Sequence, residues 1–139
     1  MPIISFGWTA QLLPPRGCKD TTRRLWSDRT VAMWQKAWDT NPDKLHAAWD
    51  KSPFVNGSQQ VGSIQLIERP FLEKLHHMGD DEITREGHPE LSRDEFIDKY
   101  FWKPKKSWDT EQDYAEYSKL MQTEFCVIRF NYIPLNENP

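Results

Sequence analysis

Near its end the chain carries Phe125-Cys126-Val127-Ile128-Arg129-Phe130-Asn131-Tyr132-Ile133, a run dominated by β-branched, aromatic and other apolar residues. Such residues fit a pleated, half-buried surface, so this is the clearest strand in the sequence. As the longest run of its kind it is expected at the centre of a sheet. Side chains alternate along a strand, so Val127 and Ile128 should face opposite sides. Any fold for this chain has to be built around it.

Two other segments read as strands. Met1–Phe6 is short, apolar and β-branched, and Val61–Glu68 alternates with Val61, Ile64, Leu66 and Ile67. Weaker strands are possible within Arg24–Trp26, Phe54–Gln60 and Leu66–Arg69. Between them lie helical signals. Trp8–Leu13 makes one or two turns before Pro14 and Pro15 stop it. Ser27 or Asp28 caps a helix to about Asp39, with Val31, Trp34, Gln35 and Trp38 on one face. At i and i+4, Trp34 and Trp38 read as anchors that fasten the helix to the sheet. Asn41-Pro42 suggests a second short helix with Leu45, Ala48 and Trp49 on one side. Leu72–Met78 reads as a helical turn. Asp80 is expected to cap a short helix that ends at Gly87. Ser92-Arg93-Asp94-Glu95 matches a capping box, with Phe96, Tyr100 and Phe101 following at helical spacing. Lys103–Ser107 reads as a basic loop, Asp109 with Gln112 as the cap of a helix to about Gln122, and Pro134–Pro139 as a loose tail.

The whole chain, 139 residues, fits one domain. Its seven Trp, seven Phe and four Tyr argue against disorder. The net charge of -3 provides no global basic field for binding nucleic acid, so any such contact needs a local patch. Two cysteines, Cys18 and Cys126, make neither a disulfide framework nor a zinc site. His76 and His77 are adjacent rather than i, i+4, and His46 and His88 stand alone, so no metal is expected. No glycine-rich phosphate loop is present, and no cofactor is expected. No apolar run reaches the length of a membrane span and no signal peptide is evident, so a cytoplasmic protein without membrane contact is the expectation.

The local patch is Arg16-Gly17-Cys18-Lys19-Asp20-Thr21-Thr22-Arg23-Arg24, with four positive charges against one negative. From Gly17 to Trp26 this segment resembles the signature of the ASCH domain family, roughly Gly-x-Lys-Thr-x-Thr-x-Arg after a short N-terminal helix. Three further blocks agree in order: Val61–Leu66 with the family's central strand, Glu82–Gly87 with its Glu-Gly segment, and Val127–Phe130 with its closing strand. The resemblance implies an α+β fold, a small PUA-like β-barrel with surrounding helices, that binds RNA, nucleosides or modified bases. Some members remove acetyl from N4-acetylcytidine with a Lys, a Thr and a Glu; by position these are Lys19, Thr22 and Glu86. The sequence departs from the pattern at Pro14-Pro15 and in a Trp-rich stretch of about 29 to 54, read as a helical insertion.

The residues have a chemistry of their own. A hydroxyl such as that of Thr22 is a poor nucleophile until a base takes its proton. Lys19 is such a base only if burial or nearby cations lower its pKa, and Arg16, Arg23 and Arg24 lie close in sequence. Glu86 would then protonate the leaving amine or position a water. Arg24, with Arg23, offers a planar fork, for a substrate phosphate or for an internal acid such as Glu86. Trp26 follows the basic stretch directly and is a candidate to stack on a base. Two functions fit: an amidohydrolase of a modified nucleoside and a noncatalytic module for RNA or a modified base; a ribonuclease would nominate His76, His77 and Lys19, whose spacing does not support it.

Overall fold

The structure, a computed structural model, describes residues 3–52, 54–102 and 111–135. The expected basic loop at 103–107, the cap at Asp109 and the tail beyond residue 135 lie outside them.

Strand β6, Glu124–Pro134, organises the sheet as its apolar run predicts. It pairs antiparallel with β2 (Thr21–Arg24), β4 (Gln60–Leu66) and β5 (Phe71–Lys74). Val127 has both Arg23 of β2 and Phe71 of β5 as cross-strand partners, so β2 and β5 lie on its two edges. From β4 the sheet continues antiparallel to β3 (Leu45–Trp49) and then parallel to β1 (Ile4–Ser5). These six strands form one sheet that curls into a half-barrel, and four α-helices pack with it among the described residues. They are α1 (Asp28–Thr40), α2 (Asp80–Arg85), α3 (Arg93–Ile97) and α4 (Glu111–Met121).

The alternation of β6 separates two cores. Cys126, Ile128 and Phe130 pack on one side with Ile4, Phe6, Trp34 of α1 and Ile64. Phe125, of opposite parity, packs with Leu75, Ile83 of α2, Phe96 and Ile97 of α3, and Met121 of α4. Burial on both faces is why nearly every position of the strand is apolar. In α1, Ser27 is the N-cap, its Oγ accepting from the Thr30 amide at 3.3 Å. Trp34 is 1% exposed, and Trp38 packs partly buried against the same core. No helix among the described residues is long and apolar enough to cross a membrane.

The structure corrects three local expectations. Leu45–Trp49 is a strand, not a helix: the Asn41 side chain accepts from the Asp43 amide at 3.1 Å, closing a turn instead of starting a helix. Beyond it burial follows period two, with His46 and Ala48 inward, and pairing to β4 overrides the helical preference of alanine. The stretch 29–54 is therefore not a purely helical insertion, since β3 within it bridges β1 and β4. Leu72–Met78 divides into the strand β5 and a 3-10 turn at Leu75–His77. Helix α2 has Gly79, not Asp80, at its N-cap position. Ser92 does form the expected capping box with Glu95.

Candidate active site

The basic segment is pulled straight rather than looped. Gly17 lies so near the backbone of Leu12 that a Cβ there would sit 2.2 Å from its carbonyl oxygen. The chain then runs beside this turn, with the Lys19 amide donating to Leu12 O at 3.0 Å. The Asp20 amide donates to Arg85 O at 2.8 Å and the Phe130 amide donates to Asp20 O at 2.9 Å, so Lys19 and Asp20 are held between α2 and β6. Arg85 also pairs with the Asp20 carboxylate at 3.0 Å. After α2 the chain turns at Gly87, φ +103°, where a Cβ would press on Leu12 and on Lys19 Cβ at 3.2 Å. A glycine both permits that conformation and lets Glu86 approach Lys19.

Lys19, Arg23 and Glu86 are each 3–6% exposed. Lys19 Nζ donates to Glu86 Oε1 at 3.1 Å, to Thr21 O at 3.1 Å and to Glu86 O at 3.2 Å. Burial pushes its pKa down; Glu86 pulls it back through charge and a hydrogen bond, Arg24 and Arg23 oppose that, and the net direction is down. Arg23 Nη1 holds Glu86 Oε2 at 3.0 Å, and its Nη2 reaches Glu73 at 2.8 Å and also Glu82. Burial works against this charge, yet Glu86, Glu73 and Glu82 outweigh it and raise the Arg23 pKa. Arg129 extends the network to Glu82 and to Glu68, both at 2.8 Å. Burial favours a neutral Glu82, but hydrogen bonds from Arg129 and Arg23 and their charges hold its pKa below the usual carboxylate range.

Thr22 and Arg24, two residues apart on β2, project side by side. Arg24 Nε donates to Thr22 Oγ1 at 3.2 Å and its Nη2 to Ser5 O at 2.8 Å, while the guanidinium carbon lies 5.7 Å from the centre of the Phe6 ring. A hydroxyl has one donor and two acceptor positions, so Thr22 keeps its proton to give.

Lys19, Thr22, Arg23, Arg24 and Glu86 all line one cleft of about 310 Å³. Aromatic rings line it too: Phe6 from the sheet core, and Phe96, Tyr100 and Phe101 from α3 and the turn after it. His88 closes one side, its ring 4.9 Å from that of Tyr100 and its Nδ1 3.2 Å from Glu90 Oε1. Trp26 is elsewhere: it stacks on Trp34, rings 5.7 Å apart and nearly parallel at 11°, and adds to the sheet core. Arg23 stands in the cleft wall, but three carboxylates already occupy its terminal nitrogens. His76 and His77 lie side by side in the 3-10 turn, their rings 5.4 Å apart and tilted by 52°, and do not line the cleft. Nothing in the sequence marks the aromatic lining or His88 as part of a site. The i, i+4, i+5 spacing of Phe96, Tyr100 and Phe101 signals a buried helix face, and nothing in it marks a face shared between a core and a cleft. Compared with family models, curated proteins and solved structures, the chain matches none.

Proposed function

We propose that the protein hydrolyses the acyl amide of an N4-acylated cytidine. The observation that carries this reading is the buried Lys19–Glu86 pair in the same cleft as the Thr22 hydroxyl, a cleft that aromatic rings also line. A volume near 300 Å³ lies at the small end of ligand pockets, suited to a nucleoside rather than a polymer. The aromatic side chains offer faces for a base. The four blocks that resemble the ASCH family are β2 with its approach, β4, the end of α2, and β6. Three of these carry or support the cleft, and on that basis we read the half-barrel as PUA-like.

In this mechanism Lys19, neutral in the reactive form, takes the Thr22 proton as Oγ1 attacks the acyl carbon. The C–N4 bond breaks, and the proton passes from Lys19 by way of Glu86 to the leaving nitrogen, which departs as the amino group of cytidine. Water then attacks the acyl-Thr ester, gives its proton to Lys19, and the acid leaves as Thr22 recovers its hydrogen. Burial of Lys19 favours the neutral amine that the first step needs. Purified protein incubated with N4-acetylcytidine should release cytidine and acetate in equal amounts. Thr22→Val should abolish release, and Glu86→Gln should lower kcat more than it raises KM.

A noncatalytic module for a modified base or RNA is the second reading, favoured by the three acceptors around Lys19 Nζ, which suit a permanently charged ammonium. It predicts binding of the nucleoside without turnover.

A further inference from the structure

We infer that the cleft selects acyl groups ending in a carboxylate, and that Arg24 reads this group; the inference rests on the amidohydrolase reading above. The starting point is a mismatch of charge. Lys19 is paired with Glu86, Arg23 with three carboxylates, Arg129 with Glu82 and Glu68, and Arg85 with Asp20. Arg24 lines the same cleft, half-buried, and among the described residues no carboxylate lies within ion-pair distance of it. Glu86 acts on it only through space, since both oxygens of that carboxylate are held by Lys19 and Arg23.

The guanidinium is nevertheless fixed. Its Nε is held on Thr22 Oγ1, one Nη2 hydrogen on Ser5 O, and its central carbon lies over the Phe6 ring, 5.7 Å from the ring centre. A guanidinium has five N–H donors, so both hydrogens of Nη1 and one of Nη2 remain for a ligand among the described contacts. With Nε and Nη2 each holding one acceptor, the Nη1 side of the fork stays open, and one hydrogen of Nη1 with the remaining one of Nη2 is the donor set for a carboxylate. A partly desolvated cation without a counter-ion is costly, and an anionic ligand removes that cost. Burial lowers the Arg24 pKa, as expected of a cation that lacks an ionic partner.

Position decides which part of a substrate carries the anion. The guanidinium that offers the open edge also touches the attacking hydroxyl of Thr22. An anion bound there lies beside the attacked carbonyl, on the acyl side of the scissile bond, rather than across the nucleoside at its sugar. A dicarboxylic acyl group satisfies this, and hydrolysis consumes one water to release cytidine and the free diacid.

The test compares kcat/KM for N4-succinylcytidine, its neutral methyl ester, N4-acetylcytidine and N4-acetylcytidine 5′-monophosphate. The free acid should exceed its ester by about tenfold or more, the scale of a charge-assisted bidentate contact. Arg24→Gln should bring that ratio to about one, and Arg24→Lys, which keeps charge but not the fork, should retain only part of it. If Arg24→Gln does not fold, the Lys variant decides by whether the ratio falls. Turnover with an acid-to-ester ratio near one in the wild type overturns this inference and leaves the amidohydrolase reading standing. A preference for the 5′-monophosphate that Arg24→Gln removes also overturns it, by assigning Arg24 to a sugar phosphate. No turnover of any of these compounds overturns both.

Discussion

Trp34, in the core on the α1 side of the sheet, and Arg23, on β2, are buried to nearly the same depth, at 1% and 6% exposure. Around Trp34 are mostly apolar side chains, the Trp26 ring and the buried His46 ring at 5.1 Å. Around Arg23 are Glu73, Glu82 and Glu86, with Lys19 and Arg129 completing the layer. An apolar residue at Trp34 gains free energy from leaving water, whereas a buried ion network returns little more than the desolvation it cost. The two regions therefore differ in purpose: one holds the fold, and the other holds charge and geometry next to a cleft. The difference also separates the effects of mutations.

The largest loss of stability is expected from Trp34→Ala, about 3–5 kcal/mol in denaturant unfolding, the usual result of emptying a large aromatic site. Arg23→Met should cost a similar or slightly smaller amount at pH 7, about 3–5 kcal/mol, by stranding its carboxylates. Here pH matters. The Glu82 pKa is lower in the folded protein than its reference value of 4.5, so its contribution is complete above that value and fades as pH falls through the folded pKa. The gap between wild type and Arg23→Met should narrow on acidification, and a gap independent of pH would remove the distinction between the two regions.

Trp26→Ala should cost less, about 1–2 kcal/mol, because the ring is only partly buried and contributes mainly through its stack on Trp34. It should leave turnover unchanged; a lost activity with unchanged stability would return Trp26 to the substrate. Lys19→Met should cost least at neutral pH, about 1 kcal/mol, because Thr21 O and Glu86 O lose a donor while Glu86 keeps its ion pair with Arg23 and the desolvation of an ammonium is spared. The lysine pKa is lowered from 10.5 on folding, so the unfolded state holds more protons between the folded pKa and 10.5. Wild-type stability should therefore rise with pH across that window relative to Lys19→Met.

The same comparison explains what was legible in the sequence. Period-two and period-3.6 patterns report burial of apolar groups, so β4, β6 and α1 with Trp34 were readable. Leu45–Trp49 was not, because Ala47 and Ala48 carry a helical preference that only pairing with β4 overrides. The resemblance of Lys19, Thr22 and Glu86 to a known signature singled them out, and the fold brings all three to one cleft. Glu73 and Glu82, carboxylates that hold the neighbouring Arg23, lie 50 and 59 residues from it along the chain. Such spacing has no period, and only the register of β2, β5 and β6 with the packing of α2 brings these groups together. Trp26 shows the converse: adjacent in sequence to the basic segment, it is turned by the end of β2 into the other core.

The most direct test of the account is turnover of N4-acetylcytidine by wild type and Lys19→Met side by side, with a melt of each. We predict cytidine release by the wild type and a loss of at least about a hundredfold in the variant, the low end for removing a general base, with little change in melting temperature. Equal turnover by both proteins, or none by the wild type, would contradict the claim that the ionic layer serves catalysis.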